Sequence, residues 1–129
     1  MKRNGLISLF GRSLFALART RLGAALVGLV FGKMDFMLPV QRLRETNALL
    51  AFYHPQPAYP LHILIVPRRA VRSLQEMEPG DQAFWVDLVQ VVQSLVVEFD
   101  LEARGYRLVL NGGSYQDVPQ LHFHLISEA

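Results

Sequence analysis

The chain contains no cysteine. Disulfides, thiolate catalysis and cysteine-based zinc sites are thereby excluded. A cysteine-free chain suits a reducing cytoplasm, which is the expected location. A long uncharged run is also missing. The stretch from Leu22 to Gly32 is free of charge, but as a helix it reaches only about 16 Å, and a bilayer core takes about 20 apolar residues. A membrane span is therefore not expected. The same segment reads poorly as a signal peptide, because the basic region before it is long and no small-x-small cleavage site follows. Acidic residues are absent until Asp35, whereas Lys2, Arg3, Arg12, Arg19, Arg21 and Lys33 precede it. The net charge of +2 thus hides an asymmetry. The basic character belongs to the N-terminal segment, and no nucleic-acid partner is expected.

What remains is ample for one domain. The chain has 129 residues, of which 51% are hydrophobic, so it can bury a core. Residues 5–33 read as a helix, weakened by glycines. Such a helix packs on its own domain, meets a second subunit, or lies on a membrane surface as a peripheral contact. The arginines do not gather on one helical face, which weakens the last reading. We divide the chain into an N-terminal helical extension, 1–35, and a domain, 36–129. In the domain, Phe36 to Val40 reads as a short extended or loop segment, and residues 42–46 are charged and polar. Leu49 to Tyr53 reads as a strand, and His54 to Pro60, with three prolines, as a loop. Leu61 to Val66 reads as a central strand buried on both sides. Ser73 and Glu76 have capping-box spacing. Pro79 and Asp81 open a long helix with Phe84, Leu88, Val91, Val92, Leu95 and Phe99 at 3.6-residue spacing, ended by Gly105. A strand at 106–110, a turn from Asn111 to Ser114 and a last strand follow. The order gives an α+β domain with an antiparallel sheet and one long helix.

The last strand carries the chemistry. In Gln120-Leu121-His122-Phe123-His124-Leu125-Ile126 the side-chain period of two puts Gln120, His122 and His124 on one face, which we expect to be exposed, and Leu121, Phe123 and Leu125 against a core. Paired imidazoles suit phosphoryl chemistry or metal binding. With His62 they could bind zinc, although no cysteine or carboxylate completes the set, so no metal and no cofactor are expected.

These residues resemble the histidine-triad, or HIT, superfamily of nucleotide-binding hydrolases and transferases, whose signature alternates three histidines with hydrophobic residues. Gln120, His122 and His124 stand in the three slots. Leu50-Ala51-Phe52, the proline-rich loop and His62-Ile63-Leu64-Ile65-Val66-Pro67 are similar to the family's first half-site. Arg107 to Gly112, through Gln116, Asp117 and Val118, is similar to the strand and turn before the triad. The resemblance covers roughly residues 43–127. It implies a homodimer that binds a purine nucleotide or nucleotide conjugate. It also implies attack by His122 on the α-phosphorus, giving a covalent nucleotidyl-histidine that water or a second substrate resolves. His124 would contact phosphate or help proton transfer. His62, Asn111, Gly113, Ser114 and Gln116 would line the phosphate site. Three positions depart from the pattern. Gln120 replaces the first histidine and would orient His122 or a nearby backbone group. His54 stands where nucleoside hydrolases of the family usually carry a ribose-binding aspartate, and His54 or Tyr53 would bind the nucleotide there in another way. Asp117 stands where some members carry serine. The resemblance therefore implies a phosphoramidate or dinucleoside-polyphosphate hydrolase or a nucleotidyl transferase. The alternative is a nucleotide-binding module whose catalysis is weakened by Gln120.

Overall fold

The structure, a computed structural model, describes residues 41–128. The N-terminal helix expected at 5–33 and the segment from Phe36 to Val40 lie outside the described residues. Five antiparallel strands form one sheet: β1 Arg42–Glu45, β2 Leu49–Tyr53, β3 Leu61–Pro67, β4 Arg107–Leu110 and β5 Phe123–Ser127, in the order β1-β2-β3-β5-β4. One long helix, α1 Gln82–Glu98, follows β3, and a short turn of helix, α2 Leu101–Arg104, follows α1. This is the α+β architecture the patterning predicts.

β3 is the centre of the sheet because all seven of its residues are buried. An alternating sequence can fill only one apolar layer, and Leu61-His62-Ile63-Leu64-Ile65-Val66 is apolar on both parities save for His62. Leu61, Ile63 and Ile65 join Leu49, Ala51, Leu121, Phe123 and Leu125 from the neighbouring chain segments. Against them pack Phe84, Leu88, Val91 and Leu95 of α1. The other parity, Leu50, Phe52, Leu64, Val66 and Ile126, is also buried. His62 and His124 share that second face, away from α1.

α1 starts where Asp81 accepts a hydrogen bond from the Phe84 N–H through its side chain, satisfying one of the free donors of the first turn. The helix does not run unbroken to Gly105. It stops at Phe99, and Asp100 takes a left-handed φ of 54° before α2 begins. Gly105, at φ 86°, then ends α2. The capping box at Ser73 does not form either. Ser73 makes no side-chain cap, and the Glu76 carboxylate accepts from the N–H and side chain of Arg72 at 3.1 and 2.9 Å. β1 was not expected as a strand, because Arg42-Leu43-Arg44-Glu45 carries too few apolar residues to show a period. It is an edge strand held from outside: Arg44 reaches α1, bonding Ser94 at 3.0 Å and Glu98 at 2.6 Å.

Candidate active site

Sheet geometry alone brings three histidines together. His54 follows β2, and its N–H donates to the His62 carbonyl at 2.8 Å, which extends the β2–β3 ladder by one pair. His54 and His62 are therefore cross-strand partners on one face. β3 pairs with β5 so that His62 lies opposite Ile126 and Leu64 opposite His124. His62 and His124 are then diagonal neighbours on that same face, within reach of ring side chains. His122, two residues before His124, adds the fourth ring. The rings touch in sequence. Centroids are 5.0 Å apart for His122 and His124, 5.1 Å for His124 and His62, and 4.2 Å for His62 and His54. Tyr59 packs edge-on against His62 at 5.4 Å.

This face is not the exposed one expected from the alternation. His122 is 4% exposed and His62 and Gln120 are each 6% exposed. Regular strand begins only at Phe123. Burial lowers the basicity of every ring, since a charged imidazolium loses its hydration there. It pushes His54 and His62 down to about 4, helped for His54 by the rings of His62 and His122. It pushes His124 to about 3, with His122, His62 and His54 adding to the effect. His122 is lowered by burial as well, while the Gln120 carbonyl and the charge of Asp117 pull the other way. At neutral pH all four rings are neutral.

Hydrogen bonds then fix which nitrogen of each ring carries the proton, because a neutral imidazole has one donor and one acceptor. His122 Nδ1 lies 2.7 Å from the Gln120 carbonyl. A carbonyl can only accept, so Nδ1 is protonated and Nε2 keeps its lone pair. His62 is the reverse. The Ala58 N–H donates to His62 Nδ1 at 3.0 Å, which leaves the proton on Nε2. That N–H faces His124 Nδ1 at 2.9 Å, so His124 in turn carries its proton on Nε2. His124 Nε2 is buried and has no hydrogen-bond partner, a costly position for a donor unless a ligand fills it. His54 follows His62: the Gln56 N–H donates to His54 Nδ1 at 2.9 Å, leaving Nε2–H. The site therefore offers one bare nitrogen, on His122, beside donors on His124 and His54.

The Gln120 side chain does not hydrogen-bond to His122. Its oxygen accepts the Val71 N–H at 3.1 Å and its amide donates to the Arg69 carbonyl at 3.1 Å, and the Leu121 N–H donates to the Val71 carbonyl at 2.7 Å. The glutamine pins the segment after β3 to the start of the triad, while its own carbonyl holds His122. Gln116 is spent in a similar way, donating to the carbonyls of Arg72 and Val118 at 2.6 and 2.9 Å. Asn111 directly follows β4, whose last residue, Leu110, pairs with Phe123. Gly113 takes a φ of 58°, which glycine adopts without strain, and Ser114 beside it is exposed. Sequence reasoning did not reach Ala58, Gln56, Arg69 and Val71, which act through backbone atoms and leave no residue-type signal.

One ring nitrogen from each of His54, His62 and His124 lies within 4.8 Å of the other two. The spacing is close enough for a metal. The polarity is wrong for one. Metal-bound histidines donate their second ring N–H to an acceptor, whereas His54 and His62 here accept backbone N–H groups. A metal on their outer nitrogens would have to expel protons and leave imidazolates, or break both backbone bonds.

Comparison with known proteins agrees with this geometry. The HIT domain family model matches residues 37–129. An uncharacterised HIT-like protein of Synechococcus elongatus is 33% identical over 100 residues, covering 75% of this chain and 87% of its own. The HIT family hydrolase of Legionella pneumophila superposes with a TM-score of 0.69 at 26% identity, over 79% of this chain and 89% of that one. The histidine triad nucleotide-binding protein of Candida albicans does so at 0.66 and 27%, over 78% and 71%. The chain belongs to the HIT family.

Proposed function

We propose that this protein cleaves nucleotides at the α-phosphate through a covalent nucleotidyl-His122, as a hydrolase or nucleotidyl transferase. The observation that carries this reading is the fixed tautomer of His122. Its Nδ1–H is held by the Gln120 carbonyl at 2.7 Å, which leaves a lone pair on Nε2, and its ring lies 5.0 Å from that of His124, whose Nε2 is buried and unpaired. A neutral, oriented imidazole is a competent nucleophile. Nε2 forms a bond to phosphorus, the bond from phosphorus to the leaving group breaks, and its electron pair departs with that group. Water or an acceptor hydroxyl then attacks phosphorus, its proton passes to solvent, and the N–P pair returns to His122. The N–H of His124 donates to a phosphate oxygen in both steps, where charge builds up. In this reading Asn111 and the turn at Gly113 and Ser114 add contacts to the phosphate. We further infer a purine nucleotide or conjugate as substrate, a homodimeric assembly and a cytoplasmic location. Peripheral membrane attachment through residues 5–33 is the alternative. Among the described residues no helix is long and apolar enough to cross a membrane.

The position of Gln120 favours an enzyme over a binding module. Its side chain serves the backbone of Arg69 and Val71, so the missing first histidine leaves the surroundings of His122 intact. The test is turnover of diadenosine polyphosphates, adenosine phosphoramidate and nucleotide sugars, with mass spectrometry of quenched protein. A nucleotidyl adduct on His122 is expected. Tight nucleotide binding with no turnover of any of them would leave only the binding module.

A further inference from the structure

We propose that the outer face of α1 is a docking surface whose occupant is the N-terminal run from Leu22 to Gly32 of the same chain. The run lies outside the described residues. The inference is independent of the chemistry at His122.

The first support is the face itself. A surface helix normally turns charged residues to water. The solvent side of α1 does not. Ala83, Val86, Val89, Gln90, Gln93 and Val97 are all exposed, and none is charged. The three valines are 51, 55 and 81% exposed. An exposed apolar stripe of this kind marks an interaction surface. The second support is where the chain arrives. The carbonyl of Gln41, the first described residue, accepts the Tyr53 N–H at 3.0 Å. The Tyr53 ring packs edge-on against Phe99 at 6.3 Å between centroids, and Arg44 of β1 bonds Ser94 and Glu98. The segment before Gln41 therefore enters at the C-terminal end of α1, on its β1 flank. At about 100° per residue, Ala83, Val86, Gln90 and Val97 come round from Ser94 toward solvent on that same flank. The opposite flank looks toward β4, the other edge of the sheet. A second copy of the chain meeting the β4 edge would leave this face open.

The third support is fit. Leu22, Leu26, Val27, Leu29, Val30 and Phe31 are apolar and gain by leaving water, and the run is too short to cross a bilayer. As a helix it would extend about 16 Å, against about 21 Å from Ala83 to Val97 along α1. Residues 33–40 reach up to about 26 Å when extended, enough to turn the chain back over the helix. The charges then match at both ends. Lys33 comes to the C-terminal end of α1, where Asp100 and Glu102 are exposed and the helix dipole is negative. Arg19 and Arg21 come to the other end, beside the exposed Glu78. The extension thus brings cations to a domain with an acidic excess, and apolar side chains to its uncharged helix face.

The test is crosslinking in the full chain, which has no cysteine of its own to compete. Val30→Cys with Val97→Cys, treated with a short bismaleimide, is expected to link within one chain. Val30→Cys with Gln75→Cys, an exposed position before α1, is expected to link about tenfold less, since docking raises the effective concentration only near Val97. Adding Val86→Asp to the first pair is expected to cut its yield by about tenfold, because a carboxylate is costly to cover with apolar side chains. Val86 is exposed, so this change leaves the core of the domain untouched. Equal yields from the two pairs overturn the proposal, and so does a link that Val86→Asp does not weaken. Links formed only between chains, read by mass spectrometry of mixed isotopically light and heavy protein, overturn it in favour of a second copy. Flotation of the full chain with phosphatidylserine vesicles, with the link lost on binding, overturns it in favour of a membrane surface.

Discussion

His122 and His62 are both buried, neutral imidazoles in one ring cluster, yet they do opposite things. His122 meets a backbone carbonyl, that of Gln120, and so turns a bare nitrogen to the site. His62 meets a backbone N–H, that of Ala58, and so passes a donor on to His124. The side chains are identical, and the chemistry is chosen by which end of a peptide group lies behind each ring. The proposed nucleophile and a donor are thus made from one residue type by backbone groups, with the carboxylate of Asp117 adding its field at His122.

Removing the proposed nucleophile breaks the comparison most severely. His122→Asn is expected to lower turnover by on the order of a thousandfold or more while nucleotide binding and the thermal midpoint stay near those of the wild type; steady-state kinetics and calorimetry check this. The peptide behind the ring comes next. Gln120→Leu leaves the buried Val71 N–H without a partner and takes a donor from the Arg69 carbonyl, so stability should fall by about 2 kcal/mol, read from urea unfolding. Because the same segment presents the carbonyl that holds His122, kcat should fall by more than KM rises. A loss of stability with kcat unchanged would detach the clamp from catalysis.

The pH dependence sharpens the same contrast. His54, His62 and His124 bind protons near 4, 4 and 3 in the fold, against about 6.5 when unfolded. Between those values the unfolded chain holds more protons, so stability rises with pH there. It is fully present above about pH 6.5 and is lost as pH falls toward 4, which thermal unfolding across that range should show. The acid limb of kcat should likewise lie below the usual histidine range, because burial lowers His122 too. The smallest effect is expected from Asp117→Asn. Removing that charge should move the acid limb slightly further down in pH and change the plateau rate by about twofold or less, since exposed charges interact weakly through water.

The parts of the fold that announce themselves in the sequence are those with a period. Leu61 to Val66 is apolar on both parities and forms the buried centre of the sheet, and Phe84, Leu88, Val91 and Leu95 repeat at helical spacing and face it. Edge strand β1 has no such signal, because Arg44 is useful there for what it reaches on α1. The break at Asp100 leaves no breaker residue to read. In the site, the pairing of His122 with His124 is visible from alternation, and His62 from its strand. That His54 joins them depends on one more rung of the β2–β3 ladder past a stretch rich in proline. The work of Gln120 depends on backbone atoms 49 and 51 positions away, which no local pattern encodes.

The most direct measurement is the tautomer of each ring, read by nitrogen-15 NMR of histidine-labelled protein at neutral pH. The account predicts a protonated Nδ1 on His122 and a protonated Nε2 on His54, His62 and His124, with all four neutral. A His122 protonated on Nε2, or a His62 protonated on Nδ1, would contradict it.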